Sequence, residues 1–600
     1  YNYRNPQTPK VLYFPAGSGK KFKYEIQEFL KKTAETFNKY YQKDNSQIPV
    51  VLEGLLREIS KKFSSVNGLS DHLHELKEDL LKNIGKYMVN DSVEFSFSGT
   101  PERYDVNLLV DNSETIGAPV IIEHNPSYSN LFGYIQYKME NSIISADHLC
   151  LQAGSVHRAR GGYLILEVEE ILGDLNAWNA LKKLLRHGYT CIENSPDRIV
   201  MFPAVTLRPQ PLSIDLKVIL TGDPAFYQTL YNNDDEFVRI FKVKADFSEQ
   251  LSKTDEIIDG LVYFVAKICN EEKLKHCDRT AVARIIDYSS RLAEHKQRLS
   301  AQFEKIADLV REANFHACQQ GCSIITGEHI ISACESLKYR CSTMEEKIYG
   351  LIEDSTLYLD TKGWEIGQVN GVSIVYSGDY VFGVPSRITA RTFIGAGNII
   401  NIEREAEMSG KIHAKGVLIL SGYLGQTYAQ DKPLALSASI CFEQHYEEID
   451  GDSASSAELY CLMSSLSGLP LRQDIAVTGS VDQRGMIQPV GGINTKIEGF
   501  FKACQLKGLS GTQGMIIPKD NVKNLMLGDE ILEAVRENMF HIYVVSTIEQ
   551  GLQILTGKDP GKISSDGSFQ PDTIHFLVNQ KLRDYASVVA SYEKEKDQYL

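Results

Sequence analysis

Asp450-Gly451-Asp452-Ser453-Ala454-Ser455, followed by the apolar run Ala457-Glu458-Leu459-Tyr460-Cys461-Leu462-Met463, is the stretch of this 600-residue chain that says most about its fold. A serine held between small residues has an exposed hydroxyl, on a backbone able to bend sharply enough to aim it at a carbonyl. The run that follows reads as a buried helix. Its N-terminal amides would sit beside the serine, where an oxyanion forms during acyl transfer. Downstream, Gly491-Gly492-Ile493-Asn494-Thr495-Lys496 sets a lysine among Ile493, Ile497, Phe500 and Phe501. Lysine replaces histidine as a general base only if burial lowers its pKa, and these neighbours supply that apolar setting. Taken singly, each feature has a plainer reading. Gly–Ser clusters before apolar helices are common caps, a lone lysine is usually solvated, and Thr478 is an ordinary strand residue.

Taken together and in order, these blocks resemble the proteolytic domain of Lon proteases. The matching segments are Gly451-Asp452-Ser453-Ala454 and the stretch from Val477-Thr478-Gly479-Ser480 to Gly491-Gly492-Ile493-Asn494-Thr495-Lys496. The similarity runs from about Gly367-Gln368-Val369-Asn370-Gly371 to Leu555-Thr556-Gly557. The resemblance implies a serine endopeptidase in which Ser453 is the nucleophile, Lys496 the base and Thr478 its support. Backbone amides at Asp452 and Ser453 are the expected oxyanion donors. It also implies unfolded or loosely folded proteins as substrates and a homohexameric ring that hides the serines in a chamber. A histidine-based site at His445 or His413, or a cysteine site at Cys441, Cys461 or Cys504, has no recognisable motif and ranks below the dyad.

Six hundred residues exceed one core and suggest three or four domains. The hydrophobic share of 43% and charged share of 24% are those of an ordinary globular chain. A net charge of -15 argues against nucleic acid as the main partner. No stretch approaches the ~20 apolar residues that span a bilayer, and the first residues lack a secretory pattern. Eleven cysteines without framework spacing are expected to be reduced thiols in a cytoplasm. Cys318, Cys322 and His316 lie close in sequence but lack a second ligand pair, so buried thiols are the expectation rather than a metal site.

The hydrophobic pattern divides the chain. Residues 1–91 form an N-terminal segment with helical spacing at Ile26, Phe29, Leu30, then Leu52, Leu55, Leu56, Ile59, then Leu76, Leu80, Leu81. From 92 to 248 the pattern is strand–helix alternation, with strands expected at Val93–Phe97, Val106–Val110, Pro119–Ile122, Gly161–Leu166 and Leu216–Leu220, hence a parallel sheet. Residues 249–342 read as a helical lid, with helices over 254–269 and 281–318. Strands return over 343–558, among them Ile366–Tyr376, Val381–Gly383 and Val417–Leu420. Residues 559–600 read as an exposed linker and a charged helix able to pack on a neighbour or fray. The fold class expected is therefore a multidomain α/β chain. It joins an AAA+-like parallel sheet with its helical lid to an α+β Lon-type proteolytic domain.

Residues from Arg103 to about Leu337 resemble the ATPase module of Lon-type proteins, through Gly154-Ser155-Val156-His157-Arg158-Ala159 and Gly161-Gly162-Tyr163-Leu164-Ile165-Leu166-Glu167. The closest likeness is to a divergent bacterial branch with a degenerate module, without the membrane spans of archaeal relatives. A working ATPase needs a phosphate loop, an acid for magnesium, a glutamate to orient water and a polar sensor. Gly17-Ser18-Gly19-Lys20 fails as a phosphate loop, because Phe14 takes the first-glycine place and Lys21 the hydroxyl place. Glu167 falls at the metal-binding acid, but Val168 falls at the water-orienting glutamate and Thr221-Gly222 at the sensor. Arg239 and Arg311 match the places of an arginine finger and a second sensor. Peptide hydrolysis is thus expected to need no cofactor, and ATP with Mg2+ to be weakly hydrolysed or not at all. The chain opens at Tyr1 rather than methionine, as expected of a piece, and a phosphate loop upstream would make it an ATP-driven protease. Asn130-Leu131-Phe132-Gly133-Tyr134 resembles a pore loop, with Phe132 as an apolar handle on substrate and Gly133 as the bend; a core anchor is the competing reading. A non-catalytic ring scaffold or chaperone would keep Phe132 and dispense with Ser453.

Overall fold

Helical spacing of large apolar residues builds the first layer. Helix α1 (Ser18–Tyr40) buries Phe22, Ile26, Phe29, Leu30 and Phe37, α2 (Gln47–Lys62) buries Leu52, Leu56 and Ile59, and α3 (Leu69–Asn83) buries Leu73, Leu76 and Leu80. The three share one core with Phe63, Val66 and Tyr104, so the N-terminal helical segment is a three-helix cluster. The computed structural model describes residues 7–40, 46–83, 102–140, 143–194, 207–395, 399–446, 448–562 and 568–598. They fall into two compact units, Tyr1–Ala245 and Asp246–Leu600.

In the first unit, β1 (Val120–Glu123), β2 (Tyr163–Glu167) and β3 (Lys217–Thr221) form a parallel sheet in the order β1-β2-β3. Leu164 and Leu166 alternate inward and pack with Trp178, Leu181 and Leu184 of α4 (Leu175–His187), which Asp174 caps through the Asn176 and Ala177 amides. Residues 106–110, expected as a strand, join no ladder. The expected strand at Val93–Phe97 lies outside the described residues. Gly17-Ser18-Gly19-Lys20 does not follow a strand; it opens α1, and Lys20 Nζ pairs with Asp111 at 2.5 Å.

The second unit begins with a helical layer: α5 (Asp255–Glu271), α6 (Arg279–Leu292), α7 (Phe303–Gln319) and α8 (Gly327–Cys341), around Leu261, Ile285, Ile306, Val310 and Ile330. The single helix expected over 281–318 is broken after Leu292. Glu294 turns into the left-handed region (φ 47°), and Arg298–Ser300 pairs antiparallel with Gln250–Ser252. No glycine or proline marks that corner, so the helical spacing runs on across it. Where strands were expected after Thr343, a further helix, α9 (Thr343–Glu353), comes first. Cys318 is exposed and Cys322 half-buried, against the expectation of buried thiols. Among the described residues no group of three or more His, Cys, Asp or Glu side chains is placed to hold a metal.

The rest of the unit is built on one mixed sheet. Its strands are β4 (Gln368–Ser377), β5 (Tyr380–Ile394), β6 (Ile399–Asn401), β7 (Leu436–Phe442), β8 (Ile475–Val477), β9 (Gly514–Pro518) and β10 (His541–Val545), in the order β6-β7-β5-β4-β8-β9-β10. Strands β4, β8, β9 and β10 run parallel, while β5 is antiparallel to both β4 and β7. Alternation along β8 sends Ile475 and Val477 to one core and Ala476 to the other. The first core holds α11 (Ser455–Ser467) and the second α12 (Ile493–Leu506), so the two helices lie on opposite faces of the sheet. Val417–Leu420, expected as a strand, lies in α10 (Lys411–Tyr428), which buries Val417, Leu420, Tyr423, Leu424 and Tyr428 at helical spacing. A four-residue apolar run fits either structure, and only its longer flanks distinguish them. The charged C-terminal helix α13 (Ile574–Gln598) is docked rather than frayed at its start, with Ile574, Val578 and Leu582 in the first core beside α11. No helix among the described residues is long and apolar enough to cross a membrane.

Candidate active site

Opposite-face helices bring their functional residues together only where a strand ends. Strand β8 stops at Val477, and the next residue, Thr478, lies between the start of α11 and the first turn of α12. Its amide donates to Ile516 O of β9 at 3.1 Å, which fixes it to the sheet. Its hydroxyl accepts from Lys496 Nζ at 3.2 Å and donates to Ser453 O at 3.3 Å.

The segment before α11 is held by main-chain and carboxylate bonds. Asp450 Oδ1 accepts from the amides of Ile412 and His413, at the start of α10, at 3.1 and 3.4 Å. Ser453 O accepts from Gly479 N at 2.8 Å, and Asp452 O accepts from both Ser455 N (3.1 Å) and Ser455 Oγ (2.8 Å). The Asp452 carboxylate accepts from Ser480 Oγ at 2.7 Å. Asp450, Asp452, the Ser453 carbonyl and Ser455 are thereby pinned, and the Ser453 hydroxyl is left to face Lys496. Among the described residues the amides of Asp452 and Ser453 have no acceptor, which leaves them free beside the positive end of α11.

Lys496 Nζ lies 2.8 Å from Ser453 Oγ. The side chain is 3% exposed, and burial lowers its pKa to about 8 against a partial counter-pull from the Asp452 and Glu294 carboxylates. At pH 7 about a tenth of such a group is neutral, far more than of a free lysine. A neutral amine at hydrogen-bond distance from a serine hydroxyl is equipped to take its proton.

The other candidates are placed differently. His413 is 1% exposed, contacts Glu458 at 3.4 Å and bonds Asn401 at 3.0 Å, and among the described residues no bond joins its ring to a serine or cysteine. Cys461 and Cys504 are enclosed, and burial pushes their thiols up; Cys441 is pushed to about 12. None is a ready nucleophile.

In the first unit Glu167 ends β2 with its carboxylate exposed, 3.8 Å from His124. Val168 is buried and packs against Gly222, where a Cβ would come within 3.1 Å of the valine. Thr221 Oγ1 donates to Leu166 O at 3.4 Å. Arg239 lies exposed on the helix Asp235–Ile240. In the second unit Arg311 is engaged by three carboxylates, Glu272 (2.7 Å), Glu304 (2.6 Å) and Asp308 (2.7 Å). Phe132 corrects the expectation of a handle on substrate. It ends the helix Tyr128–Phe132, is 1% exposed, and sits 5.3 Å from the Tyr128 ring inside the core. Gly133 beside it has φ 76° and approaches Gln152 O so closely that a Cβ would overlap it at 2.2 Å, so this bend needs glycine. Sequence reasoning missed Glu294, whose carboxylate accepts from Gly492 N at 3.4 Å; no motif marks it.

Four segments of the chain match known families. Residues 116–248 match the family described as the LonB-like AAA domain, 276–340 the archaeal LonB AAA+ ATPase lid, and 446–557 the Lon protease (S16) C-terminal proteolytic domain. Residues 1–29 match the Lon-like LonC helical domain. The chain is 32% identical over 534 residues to a Lon protease homolog of Haemophilus influenzae, covering 87% of this chain and 84% of that protein. A Lon protease homolog of Escherichia coli is 33% identical over 465 residues (75% and 78%). The archaeal Lon protease of Archaeoglobus fulgidus is 26% identical over 470 residues (77% and 72%).

Proposed function

This chain belongs to the Lon protease family and is a serine peptidase, and from that premise we propose that it cleaves unfolded proteins with a Ser453–Lys496 dyad. In the first step Lys496 Nζ takes the Ser453 proton as Oγ attacks the scissile carbonyl. The carbonyl electrons move onto oxygen, where the free amides of Asp452 and Ser453 receive the charge. Collapse breaks the C–N bond, and the lysine proton passes to the departing amine, leaving an acyl-serine. Water then repeats the sequence with Lys496 as base, and releases the acid and the free serine. Thr478 keeps the amine on the hydroxyl by accepting one of its hydrogens. The carrying observation is the 2.8 Å contact between a serine hydroxyl and a lysine that is only 3% exposed.

The AAA-like sheet does not fit a working ATP site. A water-orienting acid cannot be supplied by Val168 packed on Gly222, Lys20 is bound to Asp111, and Arg311 is held by its three acids. We therefore read peptide hydrolysis as independent of ATP and Mg2+. A homohexameric ring enclosing the serines, a role in protein quality control and a cytoplasmic setting complete the reading. All eleven cysteines being free thiols supports the last.

The test is degradation of a dye-labelled unfolded protein by the full chain, by Ser453→Ala and by Lys496→Ala, each with and without ATP and Mg2+. Both substitutions should lower the rate by about a thousandfold or more. Variants that cut at the unaltered rate would make the chain a scaffold rather than a peptidase acting through this dyad, and acceleration by nucleotide would overturn the ATP-independent reading.

A further inference from the structure

The corner after α6 touches the helix that carries the base. Glu294 follows the C-cap of α6 with φ 47°, a conformation that costs a non-glycine residue energy unless its contacts hold it. Its carbonyl accepts from Asn524 Nδ2 at 2.7 Å, and Lys296 N donates to Lys523 O at 3.0 Å. Three further bonds tie the same corner down. Arg291 pairs with Glu498 of α12 at 2.6 Å and donates to Met526 O at 3.2 Å, and Arg284 pairs with Asp529 at 2.8 Å. So fixed, the Glu294 carboxylate accepts from the amide of Gly492, the N-cap of α12, at 3.4 Å. Gly492 has φ 64°, and a Cβ there would run into Ile374 at 2.0 Å, so the turn has little freedom to rearrange. Its carbonyl in turn accepts from Lys496 N at 3.0 Å. The carboxylate, Gly492 through its amide and its carbonyl, Lys496 and the Ser453 hydroxyl form one continuous chain of contacts. A carboxylate at a helix N-terminus also complements the helix dipole.

The geometry points to Glu294, a residue of the helical layer, as a positioning residue of the proteolytic reaction that seats the first turn of α12 and sets the pH at which Lys496 becomes a base. This rests on the dyad reading above. Other charged groups around this corner are Arg291, His295, Lys296 and Arg298 on its own segment, Asp520 and Lys523 on the stretch before Asn524, and Glu498 on α12. Arg291 is occupied by Glu498 and Arg298 by Gln250. On the far side Lys496 faces the Asp452 carboxylate from the α11 segment and the hydroxyls of Ser453 and Thr478. Of these, the acids opposing the burial of Lys496 are Asp452 and Glu294, and only Glu294 belongs to the helical layer. A shift of that layer would alter the base without touching the serine.

The experiment is the pH profile of peptide cleavage by the full chain, measured for the unaltered protein, Glu294→Gln, Glu294→Lys and Asp529→Asn. Gln keeps an acceptor for Gly492 N and removes the charge; Lys reverses it. The midpoint of the rising acid limb should move to lower pH in the order Glu, Gln, Lys. It should stay in place for Asp529→Asn, which removes a carboxylate from the same interface. Coincident midpoints for Glu294, Gln and Lys would overturn the role, as would an equal shift in Asp529→Asn. Thermal unfolding of each variant shows whether it is folded, and Gln alone carries the test if Lys is not. Ser453→Ala is run alongside. If it still cleaves, the dyad reading fails; if it is inactive while the midpoints coincide, only the assignment of Glu294 fails.

Discussion

Lys496→Met should make the protein more stable while abolishing its activity. The lysine is 3% exposed, and its pKa falls from 10.5 to about 8. Those values fix the sign. Between about pH 8 and 10.5 the unfolded chain holds this proton and the folded chain does not, so stability rises with pH across that window. Below about pH 8 both states are protonated and the whole penalty of burying the ammonium is present. A depression of about 2.5 pK units corresponds to roughly 3 kcal/mol. Methionine is close to the lysine stem in length, is apolar and carries no charge. The substitution also strips a donor from two hydroxyls. Ser453 is only half-buried and reaches water, and Thr478 keeps its bond to Ser453 O. Each lost bond removes about 1 kcal/mol, leaving a net gain at pH 7 of roughly 1–2 kcal/mol.

The assay is the unfolding temperature of the full chain, measured for both proteins from pH 6.5 to 10.5. A gain of that size raises the transition by roughly 2–8 °C at pH 7 for a domain of 150–250 residues. The advantage should shrink as pH climbs past 8. Glu458, whose carboxyl burial pushes up to about 8, titrates in the neighbouring window with the opposite sign. It is common to both proteins and cancels in the difference. A variant less stable than the parent at pH 7, or an advantage that does not decline with pH, would refute the reasoning. In either case Lys496 would not be an ammonium held at a cost for the sake of chemistry.

Three other outcomes follow from the same geometry. The cleavage rate at saturating peptide should climb about tenfold per pH unit below about 8 and level off above it, as expected when the neutral form of Lys496 is the base; a profile flat from pH 6 to 9 contradicts this. Thr478→Val should lower kcat by about ten- to a hundredfold with KM little changed, because it removes a partner of the amine rather than a contact to substrate; steady-state kinetics decides, and a pure KM effect counts against it. Phe132→Ala should destabilise the unit that contains it by about 3–5 kcal/mol, as a cavity in a closed core does; an unchanged melting profile with selectively slower degradation of long substrates would restore Phe132 as a handle.

What the sequence disclosed and what it hid divide along a physical line. The helix after Ser453 and the buried setting of Lys496 were legible because small residues, apolar runs and their order are local signals. The strand at Gly161–Leu166 and the helix around Trp178 were legible for the same reason. Val417–Leu420 was misread because four apolar residues suit a strand and a buried helix alike. The end of α6 was missed because Glu294 adopts a left-handed turn without glycine, against local preference and in favour of contacts made far along the chain. Phe132 was ambiguous because an aromatic at the end of a short helix faces inward or outward according to the sheet beneath it. Each failure occurs where tertiary contacts outweigh local propensity.

That line also locates the weak point of the proposed Ser453–Lys496 dyad. Ser453 belongs to one face of the sheet and Lys496 to the other, and they meet only past the end of β8, bridged by Thr478. Neither core alone fixes the 2.8 Å between them. Their separation depends on the two turns that precede α11 and α12. The first turn is pinned from within the proteolytic sheet, by Gly479 and by the Asp450 carboxylate on α10. The second is pinned partly from outside it, by Glu294 and by the Arg291–Glu498 pair. A displacement of about 1 Å suffices to cost a catalytic contact two orders of magnitude. Small movements of the helical layer should therefore act on Lys496 more readily than on Ser453, which gives that layer a means of influencing peptide cleavage through the proposed dyad.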